Sequence, residues 1–413
     1  MSMFAGEKSD EGMVPMKQPN KEGSPSAEAV EGRTSPEGNG DETTAARTLR
    51  RDTASSGLDA VRRAARQSKS VRFTALLHHI TVDLLTRSYF ALERDSAPGI
   101  DGVTWQAYGE NLEEKLTKLH HRIHKGSYRA RPARRTYIPK ADGTQRPLAV
   151  LCLEDKVVQQ AVAAVLEAIY EEDFVGFSYG FRPGRGQHDA LDALHVGILR
   201  KRVNWVLDAD IRGFYDALSH TWIIRLLEHR IADKRILRLI AKWLKVVIIE
   251  DGRVTRSQVG APQGAVISPI LANVYLHYVN DLWVQRWRHT KANGDVIVVR
   301  YADDQIVGFE HEHEAKAFLH DLHERMRAFE LALHPDKTRL ILRSLGQSPE
   351  LVVVLQPGEE VLAQVAQATQ PESVSLLGAL VRLVDRFFPP IKVLHPLPLH
   401  RFDARTRGRS PVR

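Results

Sequence analysis

Cysteine is almost absent from the chain, with Cys152 standing alone. A single thiol excludes a disulfide framework and any zinc site built on cysteine pairs, and it suits a reducing compartment. No apolar run reaches the roughly 18 residues that a membrane-spanning helix needs, and the N-terminus lacks the charged-then-apolar pattern of a secretory signal. The chain therefore reads as soluble and cytoplasmic, with no membrane partner. Histidine-based metal chemistry is poorly served too. His311-Glu312-His313-Glu314, with His320 and His323 beyond, lacks the ligand pattern of a zinc-protease helix and reads as a polar helix face. Against these absences stands a modest excess of positive charge, 58 Lys+Arg against 51 Asp+Glu for a net +7. That balance suits a polyanionic partner without identifying one.

What is present is enough for a sizeable core: 413 residues, 43% of them hydrophobic, allow two or three lobes. Residues 1–57 are rich in Gly, Ser, Glu, Thr and Pro without apolar periodicity and read as a disordered leader. A helical pattern starts at Leu58 and continues through Val61, Ala65, Leu76, Leu77, Ile80, Leu84 and Leu85. Ser96-Ala97-Pro98-Gly99-Ile100-Asp101-Gly102 breaks it, and a further amphipathic helix is expected from Trp105 to His124. From Lys125 to Pro147 the basic residues Lys125, Arg129, Arg131, Arg134, Arg135, Lys140 and Arg146 alternate with Tyr128 and Tyr137. Such strands grip phosphates and stack bases, or they form a solvated charged hairpin.

A helix is expected from Leu153 to Ile169, then the glycine-punctuated loop Phe177-Ser178-Tyr179-Gly180-Phe181-Arg182-Pro183-Gly184-Arg185. Trp205 to Ile211 reads as a short strand whose alternation sets Asp208 and Asp210 on one face. A helix-rich block follows from Ile223 to Ile249. In Gly260-Ala261-Pro262-Gln263-Gly264-Ala265-Val266-Ile267-Ser268-Pro269, Ser268 is expected to cap a helix running from Ile270 to Asp281 with Pro269 in its first turn.

The chain is organised around Val296 to Phe309. Two apolar, β-branched runs flank a short acidic interruption, which predicts a hairpin with Asp303 and Asp304 at or beside its turn. Adjacent carboxylates between apolar strands repel one another and lose solvation unless a cation joins them. A solvated turn is the plainer reading of such a pair taken alone. A strand aspartate at 210, an aromatic shortly after it and a distant hairpin pair together make the inventory of a two-metal phosphoryl transferase. Mg²⁺ accepts carboxylate and phosphate oxygens and needs no Cys or His ligand.

The ordered series Ser96 to Gly102, Tyr137-Ile138-Pro139-Lys140 with Arg146-Pro147-Leu148, Tyr179-Gly180-Phe181-Arg182-Pro183, Asp210-Ile211-Arg212-Gly213-Phe214-Tyr215-Asp216, Pro262-Gln263-Gly264 with Ser268-Pro269, Tyr301-Ala302-Asp303-Asp304 and Lys337-Thr338 resembles the blocks of group II intron-encoded reverse transcriptases. The likeness covers residues 75 to 343. It implies an α+β right-hand polymerase core: fingers over 58–200 and a palm with an antiparallel sheet over 201–343. It also implies a function, RNA-directed DNA polymerase of a mobile group II intron, acting by nucleotidyl transfer with two Mg²⁺ ions. By the same resemblance Asp210, Asp303 and Asp304 are the catalytic, metal-binding carboxylates, and the Ile211 carbonyl is a further ligand. Lys140 and Arg146 contact the nucleotide triphosphate, Tyr215 stands at the sugar gate, Gln263 lines the same pocket and Lys337 supports the palm. Asp208 and Asp216 are read as structural. The implied partners are template or intron RNA, a DNA primer or target, and deoxynucleoside triphosphates.

The segment 344–413 matches neither the family's thumb nor its maturase region. The primer-gripping block has only the echo Leu376-Leu377-Gly378, so a truncated or divergent C-terminus is expected. The alternative reading is a catalytically impaired, RNA-binding maturase-like remnant.

Overall fold

The computed structural model describes residues 57–139, 145–256 and 258–342, together with the backbone of Val354 and Leu355. Helix α1 spans residues 57–67. The helical pattern expected to run on from Leu58 is interrupted beyond it, because Phe73 leaves the helical path to pair with Ile231. Helix α2 (Val82–Phe90) restarts under a Thr81 cap whose side chain accepts from the Leu84 N–H. The single helix expected from Trp105 to His124 is two, α3 (Trp105–Gly109) and α4 (Leu112–His124). Asn111 between them adopts left-handed backbone at φ 54°, a conformation that Asn tolerates and that ends α3.

Strands β1 (Ala133–Pro139) and β2 (Gln145–Val150) pair antiparallel, with Arg146 opposite Ile138. Helix α5 (Leu153–Tyr170) is apolar on nearly every side and is the buried axis of the core, with α2 packed on it. Helix α6 (Gln187–Arg200) leads to β3 (Trp205–Ala209). The short α7 (Phe214–Ala217), α8 (His220–Glu228) and α9 (Lys234–Leu244) follow. The buried Asp233 caps α9 and also accepts from the backbone N–H groups of Leu76 and Leu77. Burial alone would raise the pKa of this carboxyl, but those N–H groups and the Arg235 guanidinium hold it well below the usual range.

The block expected to stay helical to Ile249 ends at Leu244. Residues Val247–Glu250 form β4, which turns through Asp251 and Gly252 into β5 (Arg253–Arg256). These strands extend the first sheet in the order β2-β1-β4-β5, over a small core of Ala133, Ala149, Leu151, Val246, Ile248 and Ala265. Helix α10 (Ser268–Leu276) begins with Ser268 inside it rather than capping it. The Ser268 hydroxyl instead donates to the Pro262 carbonyl and pins the preceding loop. A π-helical turn, His277–Asp281, joins α10 to α11 (Leu282–Thr290).

The remaining elements are β6 (Val296–Tyr301), β7 (Asp304–Phe309), α12 (Glu312–Ala328), β8 (Arg339–Leu342) and β9 (Val354–Leu355). They form the second sheet with β3 at its centre, in the order β6-β7-β3-β8-β9. One continuous hydrophobic core joins α1 through α5 to this sheet and its helices. Among the described residues no helix is long and apolar enough to cross a membrane.

Candidate active site

The second sheet determines which residues meet. Antiparallel pairing of β3 with β7 ends at Ala209 opposite Gln305. Extended by one step along both chains, this register sets Asp210 opposite Asp304. Strands β6 and β7 close at the Tyr301–Asp304 pair, leaving Ala302 and Asp303 as a two-residue turn. Such turns demand left-handed backbone, and Ala302 supplies it at φ 55° without being glycine. The hairpin therefore forms where the sequence places it, with both aspartates at its tip.

Asp210 is buried, and its surroundings come from the chain before β8. Its carbonyl accepts the His334 N–H at 2.7 Å, and the Arg212 N–H donates to the Ala332 carbonyl at 2.8 Å. These two bonds flank the Ile211–Leu333 bridge, so the backbone groups of Ile211 itself face the opposite edge, where β7 and the turn lie. Lys337 Nζ stands 3.7 Å from Asp210 Oδ2, and its side chain is about half exposed, at 54%.

Tyr215 sits on α7, one turn beyond Asp210, partly exposed and packed edge-on against Phe214. Burial raises its hydroxyl pKa and the Asp303 carboxylate raises it further, while Arg146 and Arg300 pull it down. Those couplings bring β2, the Asp303 turn and α7 into one electrostatic neighbourhood. The loop 260–264 spans the same gap. The Ala261 N–H donates to the Tyr215 carbonyl at 2.8 Å, and the Gln263 carbonyl accepts the Ala149 N–H at 2.7 Å. Gly260 and Gly264 both have φ 93°, and a Cβ on either would press within 3.2 Å of backbone carbonyl oxygens. Glycine is needed there for close approach. Gln263 Nε2 reaches Asp216 Oδ2 at 3.5 Å, consistent with a structural role for Asp216.

Of the residues singled out from sequence, Asp210, Ile211, Asp303, Asp304, Tyr215, Gln263, Lys337 and Arg146 gather around this end of the sheet. Lys140 lies outside the described residues, as do Leu376 to Gly378. Tyr128, read from the sequence as part of either a base-stacking strand or a solvated hairpin, is instead buried in the core, where it donates to Asp155 and accepts from Trp243 Nε1. Asp208 sits within the ladder between Ile306 and Arg339. Among the described residues, no three His, Cys, Asp or Glu side chains are gathered closely enough to hold a metal ion by themselves. The donor set is nonetheless hard oxygen throughout, carboxylates and a carbonyl, which is the chemistry Mg²⁺ takes when phosphates complete its shell.

Sequence reasoning did not single out Arg300, Asp281, Asn273 and Ser178. Arg300 and Asp281 form a fully buried ion pair beneath the turn, at 2.6 and 2.7 Å. A charged residue inside the apolar run of β6 was the available signal, since such a charge requires a buried partner.

An antiparallel-sheet lobe whose central strand leads into an aspartate near an acidic hairpin turn, joined to a basic-stranded lobe, has the architecture of a polymerase fingers and palm. Residues 138–381 match the family described as reverse transcriptase (RNA-dependent DNA polymerase), and the chain belongs to that family. The chain is 33% identical over 276 residues to Protein YkfC of Escherichia coli K12, an alignment spanning 59% of this chain and 72% of that protein. It is 28% identical over 300 residues to the group II intron-encoded protein LtrA of Lactococcus lactis, covering 70% of this chain but half of LtrA. Nuclear intron maturase 4 of Arabidopsis thaliana is 28% identical over 137 residues, 33% of this chain and 17% of that protein. These relatives place the chain with the group II intron type of reverse transcriptase.

Proposed function

We propose that the chain extends a primer 3′ end with deoxynucleotides on an RNA template, as the polymerase of a group II intron. Residues 58–200 serve as fingers and 201–343 as palm. The observation that supports this reading is the strand register, in which β3 pairs with β7 as far as Ala209 opposite Gln305, Asp210 follows directly, and β6 and β7 turn at Ala302 and Asp303. Asp210, Asp303, Asp304 and the Ile211 carbonyl would hold divalent metal. When bound, the metal lowers the pKa of the attacking hydroxyl and neutralises the departing pyrophosphate.

The chain's own groups supply the rest. Arg146, with Lys140, neutralises triphosphate oxygens as charge develops on the leaving group. The Tyr215 ring closes the pocket against a ribose 2′-OH, and its backbone is fixed by the loop that carries Gln263. Lys337 compensates the charge of Asp210 and holds that carboxylate in place.

The test is extension of an annealed DNA primer on an RNA template with Mg²⁺. Asp303→Asn should lower incorporation on the order of 10³-fold or more, because several kcal/mol of charge stabilisation go with the carboxylate. RNA binding measured in parallel should persist. Equal incorporation by the variant would remove the metal assignment. A wild-type chain that binds RNA in a salt-sensitive manner but incorporates nothing would favour the maturase-like remnant.

A further inference from the structure

The hairpin tip lies on a buried polar layer of Arg300, Asp281, Asn280, Asn273, Ser178 and Gln305. Arg300, 1% exposed, is the last residue but one of β6. All five N–H groups of a guanidinium find acceptors. Nε and Nη2 grip the two oxygens of Asp281 at 2.7 and 2.6 Å, and Nη2 also donates to Ser178 Oγ at 2.6 Å. Nη1 donates to Asn273 Oδ1 at 3.2 Å and to the carbonyl of Ala302 at 2.6 Å. Ala302 is the left-handed residue of the acidic turn, a strained conformation for a non-glycine residue that persists only where its surroundings enforce it.

The cross-strand partner of Arg300 is Gln305, and it is held in parallel. Asn280 Nδ2 donates to Gln305 Oε1 at 2.5 Å and to Asp281 Oδ1 at 3.1 Å. Asn280 and Asp281 are consecutive and end the π-helical turn. The widened turn lets two neighbouring side chains address the two strands of one hairpin, and such turns recur at functional sites. From the other side the Arg300 backbone is bonded to Phe177 and Tyr179. Asn273 also donates to the Gly180 carbonyl at 2.8 Å, so the same side chain ties the loop to the layer.

We infer that the Arg300–Asp281 pair, braced by Asn280, Asn273, Ser178 and Gln305, is a positioning device that sets the Ala302–Asp303 turn so that the carboxylates at its tip are aimed before metal and nucleotide arrive. This rests on the assignment of Asp303 and Asp304 as metal ligands. Arg300 is buried and takes no part in the chemistry itself. A buried ion pair is weak as a source of stability, because desolvation offsets attraction, but a fully satisfied network specifies one geometry.

The experiment measures Mn²⁺ binding by electron paramagnetic resonance in complexes of full-length protein, primer–template and a non-hydrolysable deoxynucleotide, alongside the Mg²⁺ dependence of incorporation. Arg300→Lys keeps the charge but loses the fork, and should weaken Mn²⁺ binding and raise the Mg²⁺ requirement about 10- to 100-fold, the range for groups that orient metal ligands. Its primer–template affinity should stay within about 2-fold of wild type. Ser178→Ala removes one of the five contacts, keeps the ion pair and so keeps the fold, and should shift both readouts in the same direction by a smaller factor. Arg230→Lys perturbs another buried Arg–Asp pair, with Asp173, whose arginine otherwise bonds the carbonyls of Ala65 and Ser68 rather than the turn. It should lower the melting temperature and leave Mn²⁺ binding unmoved.

Wild-type Mn²⁺ binding and Mg²⁺ dependence in both Arg300→Lys and Ser178→Ala, with Asp303→Asn deficient in both, would overturn the positioning role and leave the metal assignment standing. Retention of Mn²⁺ and activity by Asp303→Asn as well would overturn the assignment, and the inference with it.

Discussion

Gly180 provides a test of the candidate site that touches no titratable group. A Cβ built on Gly180 would stand 2.2 Å from the Ala302 backbone nitrogen, 2.9 Å from its Cα and 3.0 Å from the Tyr301 carbonyl carbon. Ordinary van der Waals separation is more than 1 Å greater than the shortest of these. All three neighbours are main chain, so no rotamer change can make room. Gly180→Ala must move the 177–180 loop or the turn, and the loop is held by Asn273 and by backbone bonds to Arg300. A displacement of about 1 Å at a reacting centre costs on the order of 100-fold in rate, and overpacking of this kind destabilises by about 1–3 kcal/mol. Primer extension and urea denaturation should therefore both register the change. The control is Gly126→Ala, at φ 78° with nothing within 4 Å of the new methyl. Left-handed strain there costs a similar 1–2 kcal/mol at the junction of α4 and β1. If the two variants lose stability equally and activity equally, the turn is not where the rate is determined.

The acidic hairpin was legible because β-branched runs on both sides of a two-carboxylate interruption admit few other folds, and β3 was legible for the same reason. The β4–β5 hairpin was not. Lys245-Val246-Val247-Ile248-Ile249 follows an amphipathic helix without a breaker, and its apolar run suits helix and strand alike. Asp251-Gly252 was the available signal, since both residues adopt positive φ, at 46° and 77°, as a two-residue hairpin turn requires. Tyr128 was misjudged because a ring beside arginines looks exposed from sequence, whereas its partners Asp155 and Trp243 lie 27 and 115 residues away. The buried layer under the turn was hidden for a related reason. Asp281 and Asn280 reach β6 and β7 only because the helix widens at His277, and nothing local in His277-Tyr278-Val279-Asn280-Asp281 announces a π turn.

Two further predictions follow from the same geometry. Tyr215→Ala should admit ribonucleotides, narrowing discrimination between sugars on the order of 100-fold, as read from incorporation of matched ribo- and deoxynucleotides; unchanged discrimination would place the gate elsewhere. The second concerns His277, which is buried in the π turn against Phe174 and Tyr278 with Nδ1 unpartnered, within the fields of Asp281, Arg300, Lys69 and Arg182. Burial lowers its pKa to about 4 from the ordinary 6.5, opposed by Asp281 and assisted by the three cations. A base whose pKa falls on folding contributes stability that is intact above the unfolded value, near 6.5, and is lost as pH drops through about 4, because the unfolded chain takes up the proton first. At pH 5 the loss is about 2 kcal/mol, and at pH 7 it is close to zero. Asp155 and Glu167, raised by burial to about 6 and about 7, act in the opposite sense over the same window. The wild-type profile alone is therefore ambiguous, and the difference from His277→Leu isolates the histidine. That variant removes no hydrogen bond at Nδ1 and should gain about 2 kcal/mol over wild type on going from pH 7 to pH 5, read from urea midpoints. A stability difference that is the same at both pH values would mean that His277 titrates normally and that the π turn opens to water.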